Sequence, residues 1–278
     1  QGGRKQTPAN GALNSQKENG MAEPTVVRPD EVDPEIEPLL YPCNELGFDA
    51  PLRWLRLGWR DLNRARAQSL TYGIGLVAFA YLVTALALIG GNVVALFSLA
   101  VAFILAGPVL AFGLYSISRQ LEQGRVPRLG ICWRESRNHL RNEMLFALVV
   151  LVVLLVWARA ASMVHVFFPV GEELGLLGWI EFLAVGSAVG SIFATIVFSA
   201  SVVALPMMLD RNADAITSAL TSVAAVLNNK AVMALWAMII AGLVLIGFAS
   251  AYIGLIIVLP LIGHATWHAY RETVKITE

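Results

Sequence analysis

The chain has 278 residues, 57% of them hydrophobic and only 14% charged, with no net charge and a mean hydropathy of +0.66. An ordinary soluble domain carries about 25% charged residues, so the composition excludes one, and zero net charge leaves no bulk field for nucleic acid. Two stretches, 70–118 and 231–263, hold no Asp, Glu, Lys, Arg or His over 49 and 33 residues; a bilayer core of about 30 Å takes about 20 apolar residues per helix, so each stretch is long enough for a pair of membrane spans.

The first 48 residues predict no fold and lack the apolar core of a cleavable signal. Residues 1–20 are polar, and MAEPTVV from Met21 reads like a natural start, so 1–20 need not be native. Residues 22–45 carry Glu23, Asp30, Glu31, Asp33, Glu35 and Glu37 among several prolines, an acidic, disordered lead-in. The folded domain is expected over 49–275.

Pro51–Ala67 predicts an amphipathic interfacial helix with Asp49 as its N-cap. Leu52, Leu55, Trp59 and Leu62 share one face, and Arg53, Arg56, Arg60 and Arg64 the other. With Trp54, these arginines and Trp59 are the candidate lipid-interface residues, set for the anionic headgroups of the cytoplasmic face. A plain juxtamembrane helix with no lipid preference is the bland alternative. Two further interfacial helices are predicted: Leu129–Asn142, with Trp133 and Leu140 against Arg134, Arg137 and Arg141, and Ala215–Asn228, capped by Asp214.

Six spans follow in order: Leu70–Gly90, Val93–Tyr115 after a Gly90-Gly91-Asn92 turn, one starting at Met144, Ile180–Met208, one starting near Ala231 and one ending near Tyr270, the last two joined by a turn near Gly247–Gly254. Between and around them, 19 of the 20 basic residues fall on one face, which the positive-inside rule makes cytoplasmic, with both termini inside. Cys43 and Cys132 lie on that face, where a disulfide is not expected. Pro108, Pro206 and Pro260 each stand one to two turns before a cytoplasmic exit, a weak internal repeat of helix–span units. The fold class is thus an all-α polytopic membrane bundle with amphipathic cytoplasmic helices.

Few residues carry chemistry. In the fourth span Gly186, Gly190 and Ala194 form one small stripe, and Ser187, Ser191, Thr195 and Ser199 the next. Such stripes serve close helix packing, or line a polar path for a solute. Arg159, far enough along the third span to lie near its outer interface, is placed to pair with Glu172, Glu173 or Glu181; a buried Arg159–Glu181 gate is the sharper alternative. His264 and His268, at i and i+4, share a helix face and are weak metal or haem candidates, since a site usually needs three or four ligands. The blander reading puts them in an interfacial aromatic belt with Trp267 and Tyr270. No P-loop, HExxH, GxSxG or kinase set occurs, so no catalytic residue, cofactor or enzymatic activity is predicted.

The stretches GLIIVLPLIGHATWHAYRETV and APLRWLRLGWRDL, with the six-span pattern over about 45–275, resemble the uncharacterised bacterial family of predicted integral membrane proteins, domain of unknown function 2189. The resemblance implies a bacterial inner-membrane location and supplies no activity and no catalytic residue. Three functions compete: a non-enzymatic membrane assembly or envelope-homeostasis factor docking on lipid or on another membrane complex; a small-solute transporter or channel; and a haem- or metal-binding redox protein. Transporters place ionisable groups near the membrane midplane. The sparse polar content of these spans therefore favours the first.

Overall fold

In lipid a backbone must pair its own polar groups, so an apolar chain crosses as helices. Helices are what the computed structural model shows over the described residues, which are 40–89, 110–167, 175–211 and 213–275. In chain order they are α1 (Ala50–Arg64), α2 (Arg66–Ile89), α3 (Phe112–Glu122), α4 (Leu129–Phe167), α5 (Leu176–Ser201), α6 (Ala204–Arg211), α7 (Ala215–Asn228), α8 (Lys230–Ala249) and α9 (Leu255–Thr273). Four stretches are long and apolar enough to cross a membrane: Arg66–Ala85, Arg141–Met163, Ile180–Arg211 and Lys230–Ala249. The expected second span, its Gly90-Gly91-Asn92 turn and Pro108 lie outside the described residues, as does the lead-in over 1–39. The last helix, α9, is not among the four; its second half carries His264, His268, Arg271 and Glu272.

Apolar side chains divide into two populations. On α4 Leu148, Val149, Leu151, Val152, Leu155 and Val156 are exposed, as a span facing lipid requires. The packed core gathers instead at the other end of the bundle, where Trp54, Leu205, Met207, Met208, Met233, Trp236, Trp267 and Tyr270 are fully buried. We call this end the head. Trp54 and Trp236 meet edge to face at 5.5 Å between ring centroids, a geometry favoured by the ring quadrupoles.

Helix α1 packs along the end of α9, and glycine sets how closely. A Cβ on Gly58 would stand 2.7 Å from the Ala265 backbone nitrogen. The buried stripe is therefore Ala50, Trp54, Gly58, Asp61 and Leu62. This corrects the expected orientation: Trp54 is fully buried rather than at a lipid interface, Leu62 is buried with it, and Leu55 is half-buried against the core. Leu52 and Trp59 remain exposed, as do Arg56, Arg60 and Arg64. Asp49 holds the N-cap position, but its carboxylate pairs with Arg53 instead of capping the backbone. At α7 the expected cap forms, with Asp214 accepting from the amides of Ile216 at 2.8 Å and Thr217 at 3.0 Å. The segment 129–142 is not a separate interfacial helix. It continues into the third span as one 39-residue helix, about 58 Å long at 1.5 Å per residue, well beyond a bilayer core of about 30 Å.

The prolines act through the carbonyl four residues earlier, which each leaves unbonded. For Pro206 that is Val202, and the helix breaks at Val202-Val203 between α5 and α6. At this break the Val203 amide donates to the Ser222 hydroxyl of α7 at 3.1 Å. For Pro260 it is Ile256, whose carbonyl faces Gly73 of α2 so closely that a Cβ there would collide with it. Replacing Gly73 with alanine is expected to push α2 off α9 and cost about 1–2 kcal/mol, as overpacking does. A melting temperature in detergent that matches the parent would show that α2 tolerates the added methyl.

The turn between α8 and α9 falls over 250–254, as expected, and holds Ala251 and Tyr252 at φ of 51° and 67°. The left-handed region is costly for side-chain-bearing residues, on the order of 1–3 kcal/mol each. Tyr81 of α2 braces this turn. Its hydroxyl donates to the Ala251 carbonyl, and its ring meets Tyr252 edge to face.

Residues 40–48 are part of the head, unlike the lead-in the sequence suggests up to 48. Lys275 N–H donates to the Pro42 carbonyl at 2.9 Å, and Asn44 N–H to the Thr273 carbonyl at 2.8 Å, closing an antiparallel bridge between Cys43 and Val274. Asn229, between α7 and α8, accepts from Leu46 N–H at 2.8 Å and donates to the Asn44 carbonyl at 3.0 Å. Tyr41 N–H reaches the Thr221 hydroxyl, and its ring lies under the Arg211 guanidinium. Cys43 and Cys132 are both free, and burial pushes the Cys43 thiol pKa up.

Candidate functional site: a buried Asp–His–Ser network in the head

Polar residues of four helices converge in the head. His264 of α9 is fully buried, with Nε2 at 2.9 Å from the Ser69 hydroxyl of α2 and Nδ1 at 2.8 Å from the Ser118 hydroxyl of α3. Ser118 donates to Asp61 Oδ2 of α1 at 3.0 Å, and His268 Nε2 lies 2.8 Å from the same oxygen. A hydroxyl has one proton. Because Ser118 gives its proton to the carboxylate, it must accept from His264, which assigns the proton of His264 to Nδ1. Nε2 is then an acceptor, and Ser69 donates to it. The chain thus runs Ser69 to His264 to Ser118 to Asp61, with His268 joining from the other side. Asp61 is its terminus, a carboxylate only 3% exposed, and it is held by donors rather than by solvent.

A ring of ion pairs surrounds this network. Arg53 pairs with Asp49 and Glu272, and Glu272 also accepts from the Trp54 indole at 2.9 Å. These hydrogen bonds, Glu272 first, hold the Arg53 guanidinium pKa above its usual value. Glu122 accepts from the Trp267 indole at 2.9 Å and from Arg271 at 3.0 Å. Asp210 takes Arg271 at 3.0 Å and the Tyr270 hydroxyl at 2.7 Å. Arg119 lies between Asp210 and Glu135, at 3.7 and 3.6 Å. The last turns of α9 are therefore tied to α1, α3 and α6 by charge as well as by packing.

The structure places the other candidates apart from this network. Arg159 and Glu181 are exposed, and no ion pair joins them among the described residues. Glu172 and Glu173 lie outside those residues. Ser187, Ser191 and Thr195 are exposed and Ser199 is half-buried. Ser191 and Thr195 bond back to carbonyls of their own helix, as such hydroxyls do in apolar surroundings. Space is open at the Cβ positions of Gly186 and Gly190, so within the described residues this stripe is not a packing face. His264 and His268 do share a face; His264, Trp267 and Tyr270 are buried, and His268 is half-buried. Among the described residues no group of three or more His, Cys, Asp or Glu is arranged to hold a metal.

Sequence reasoning singled out His264 and His268 and missed Asp61, Ser69 and Ser118. One sign of Asp61 was legible. It is the only acidic residue within Ala50–Arg64, and it falls on the face that holds Trp54, Gly58 and Leu62.

Apolar helices of spanning length define an integral membrane protein. The family described as predicted integral membrane protein (DUF2189) matches over residues 96–210, and it is the family that the sequence resembles. The matched stretch includes Ser118 and leaves out Asp61, Ser69, His264 and His268. Searches of curated proteins and of solved structures returned no match.

Proposed function

We propose that this chain is a bacterial inner-membrane protein of six spans with both termini cytoplasmic. In this reading it has no reaction of its own and works as an assembly or envelope-homeostasis factor, its head docking on anionic lipid or on another membrane complex. The basic residues, 19 of 20 on one face, support the orientation. The observation that carries the function is the distribution of polar groups. In the head, carboxylates are engaged by neighbouring arginines, indoles and hydroxyls, while the described spans present apolar side chains outward. What the head offers outward on α1 is an edge of Leu52 and Trp59 beside Arg56, which suits an interface between acyl chains and headgroups. A solute path has less support, because among the described residues Arg159 and Glu181 are exposed with no ion pair between them, and space is open at Gly186 and Gly190.

Spin labels at single cysteines test the docking. With Cys43 and Cys132 replaced, labels at positions 52, 59, 60 and 64 are compared in nanodiscs containing anionic lipid. Positions 52 and 59 are expected to be accessible to lipid-soluble oxygen, and 60 and 64 to a water-soluble nickel complex. Equal aqueous access at all four would remove the lipid-docking reading.

A further inference from the structure

We propose that the cavity between α1, α3 and α9 binds a phosphate-bearing ligand from aqueous solution, held at the mouth by the guanidinium groups of Arg60 and Arg64. The cavity measures about 200 Å³, and a water occupies about 30 Å³ in the liquid, so an oxyanion fits with water beside it. Its walls are Arg60, Arg64 and Asp61 of α1, Ser118, Leu121 and Glu122 of α3, and His268 of α9.

The pairing of charges in the head identifies the ligand's sign. Both carboxylates in the wall are already engaged: Asp61 by His268 and Ser118, and Glu122 by Arg271 and the Trp267 indole. Arg53, Arg119 and Arg271 of the same head all pair with carboxylates. Arg60 and Arg64 pair with none among the described residues, and both are exposed. Spaced i and i+4, they lie on one face of α1. The position of Arg64 in the last turn also suits the helix dipole, but that does not account for Arg60. Two guanidinium forks over a cavity are suited to the several oxygens of a phosphate group. The imidazole of His268 lies in the wall with Nε2 fixed on Asp61, and Nδ1 is its second ring nitrogen.

Geometry identifies the source. At about 100° per residue, the cavity-lining positions Arg60, Asp61 and Arg64 lie about 150° around α1 from the edge formed by Leu52, Leu55 and Trp59. If that edge meets lipid, the cavity opens away from it, towards water. The inference uses the proposed function only for this placement. Failure of the spin-label test would remove the argument for a soluble source and leave the arginine site to stand or fall by titration.

The test is calorimetric titration of the full chain with inorganic phosphate at constant ionic strength, in detergent and in phosphatidylcholine nanodiscs. Saturable binding in the millimolar range or tighter is expected in both. Arg60→Gln and Arg64→Gln should each weaken it at least tenfold, without changing the melting temperature of the unliganded protein, since neither side chain is packed. Nanodiscs containing phosphatidic acid should leave the phosphate affinity unchanged. Absence of saturable binding, or binding that persists in the double variant, would overturn the site. Competition by phosphatidic acid would overturn the solution source and make the ligand a lipid headgroup.

Discussion

Replacing Asp61 with alanine is expected to destabilise the head by roughly 3 kcal/mol. The carboxylate accepts from Ser118 and from His268, and its removal leaves both donors without an acceptor in a buried site. Two orphaned buried donors at about 1–3 kcal/mol each give about 2–6 kcal/mol together. The lower half of that range applies because the His268 side chain keeps some contact with water, at 16% exposed. On the scale of about 2–4 °C per kcal/mol for chains of this size, the melting temperature in detergent should fall on the order of 10 °C. Asp61→Asn keeps one oxygen as an acceptor and should fall by less. A variant Asp61→Ala that melts with the parent would show that the network contributes little to the fold.

Beginning the chain at Leu46 is the second change with a large expected effect. It removes the Pro42 and Asn44 contacts to Lys275 and Thr273, the Asn44 carbonyl that Asn229 donates to, and the buried Tyr41 ring beneath Arg211. Each hydrogen bond contributes about 1 kcal/mol net, and the cation–ring contact about 0.5–1 kcal/mol. These values are already net, so the three hydrogen bonds and the ring contact together give an expected loss of roughly 3–4 kcal/mol. A chain lacking only residues 1–39 should keep its melting temperature. The comparison separates the two: equal loss in both would place the stabilising contacts upstream of Leu40, and no loss in either would mean that residues 40–45 do not hold the head together.

Several features were readable in the sequence because they depend on local chemistry. Asp214 before Ala215–Asn228 has the side chain and position of an N-cap, and it caps. The turn between Gly247 and Gly254 follows from interrupting an apolar run too long for one helix, and α8 and α9 meet there. Apolar stretches of spanning length report themselves through composition alone, and four of them are helices of that kind.

The face of α1 was not readable in the same way. Leu52, Leu55 and Trp59 form the more hydrophobic stripe, yet the helix buries the stripe that holds Gly58 and Asp61. Gly58 allows a close approach to Ala265 that no leucine could match, and Asp61 finds its donors on α3 and α9. Residues 41–46 carry no periodic signal, because what orders them is backbone pairing with residues 273–275 at the far end of the chain. Nor did the spacing of His264 and His268 show what their nitrogens meet, since Ser69, Ser118 and Asp61 come from three other helices. By itself, then, the sequence determined that this is a helical membrane protein, where its apolar helices lie and where some of them stop, because hydropathy, proline and capping act within a few residues. Only the tertiary structure decided which polar groups are spent on each other and which are left facing outward, because a buried hydrogen bond needs a partner at about 3 Å and periodicity along one helix carries no information about the next.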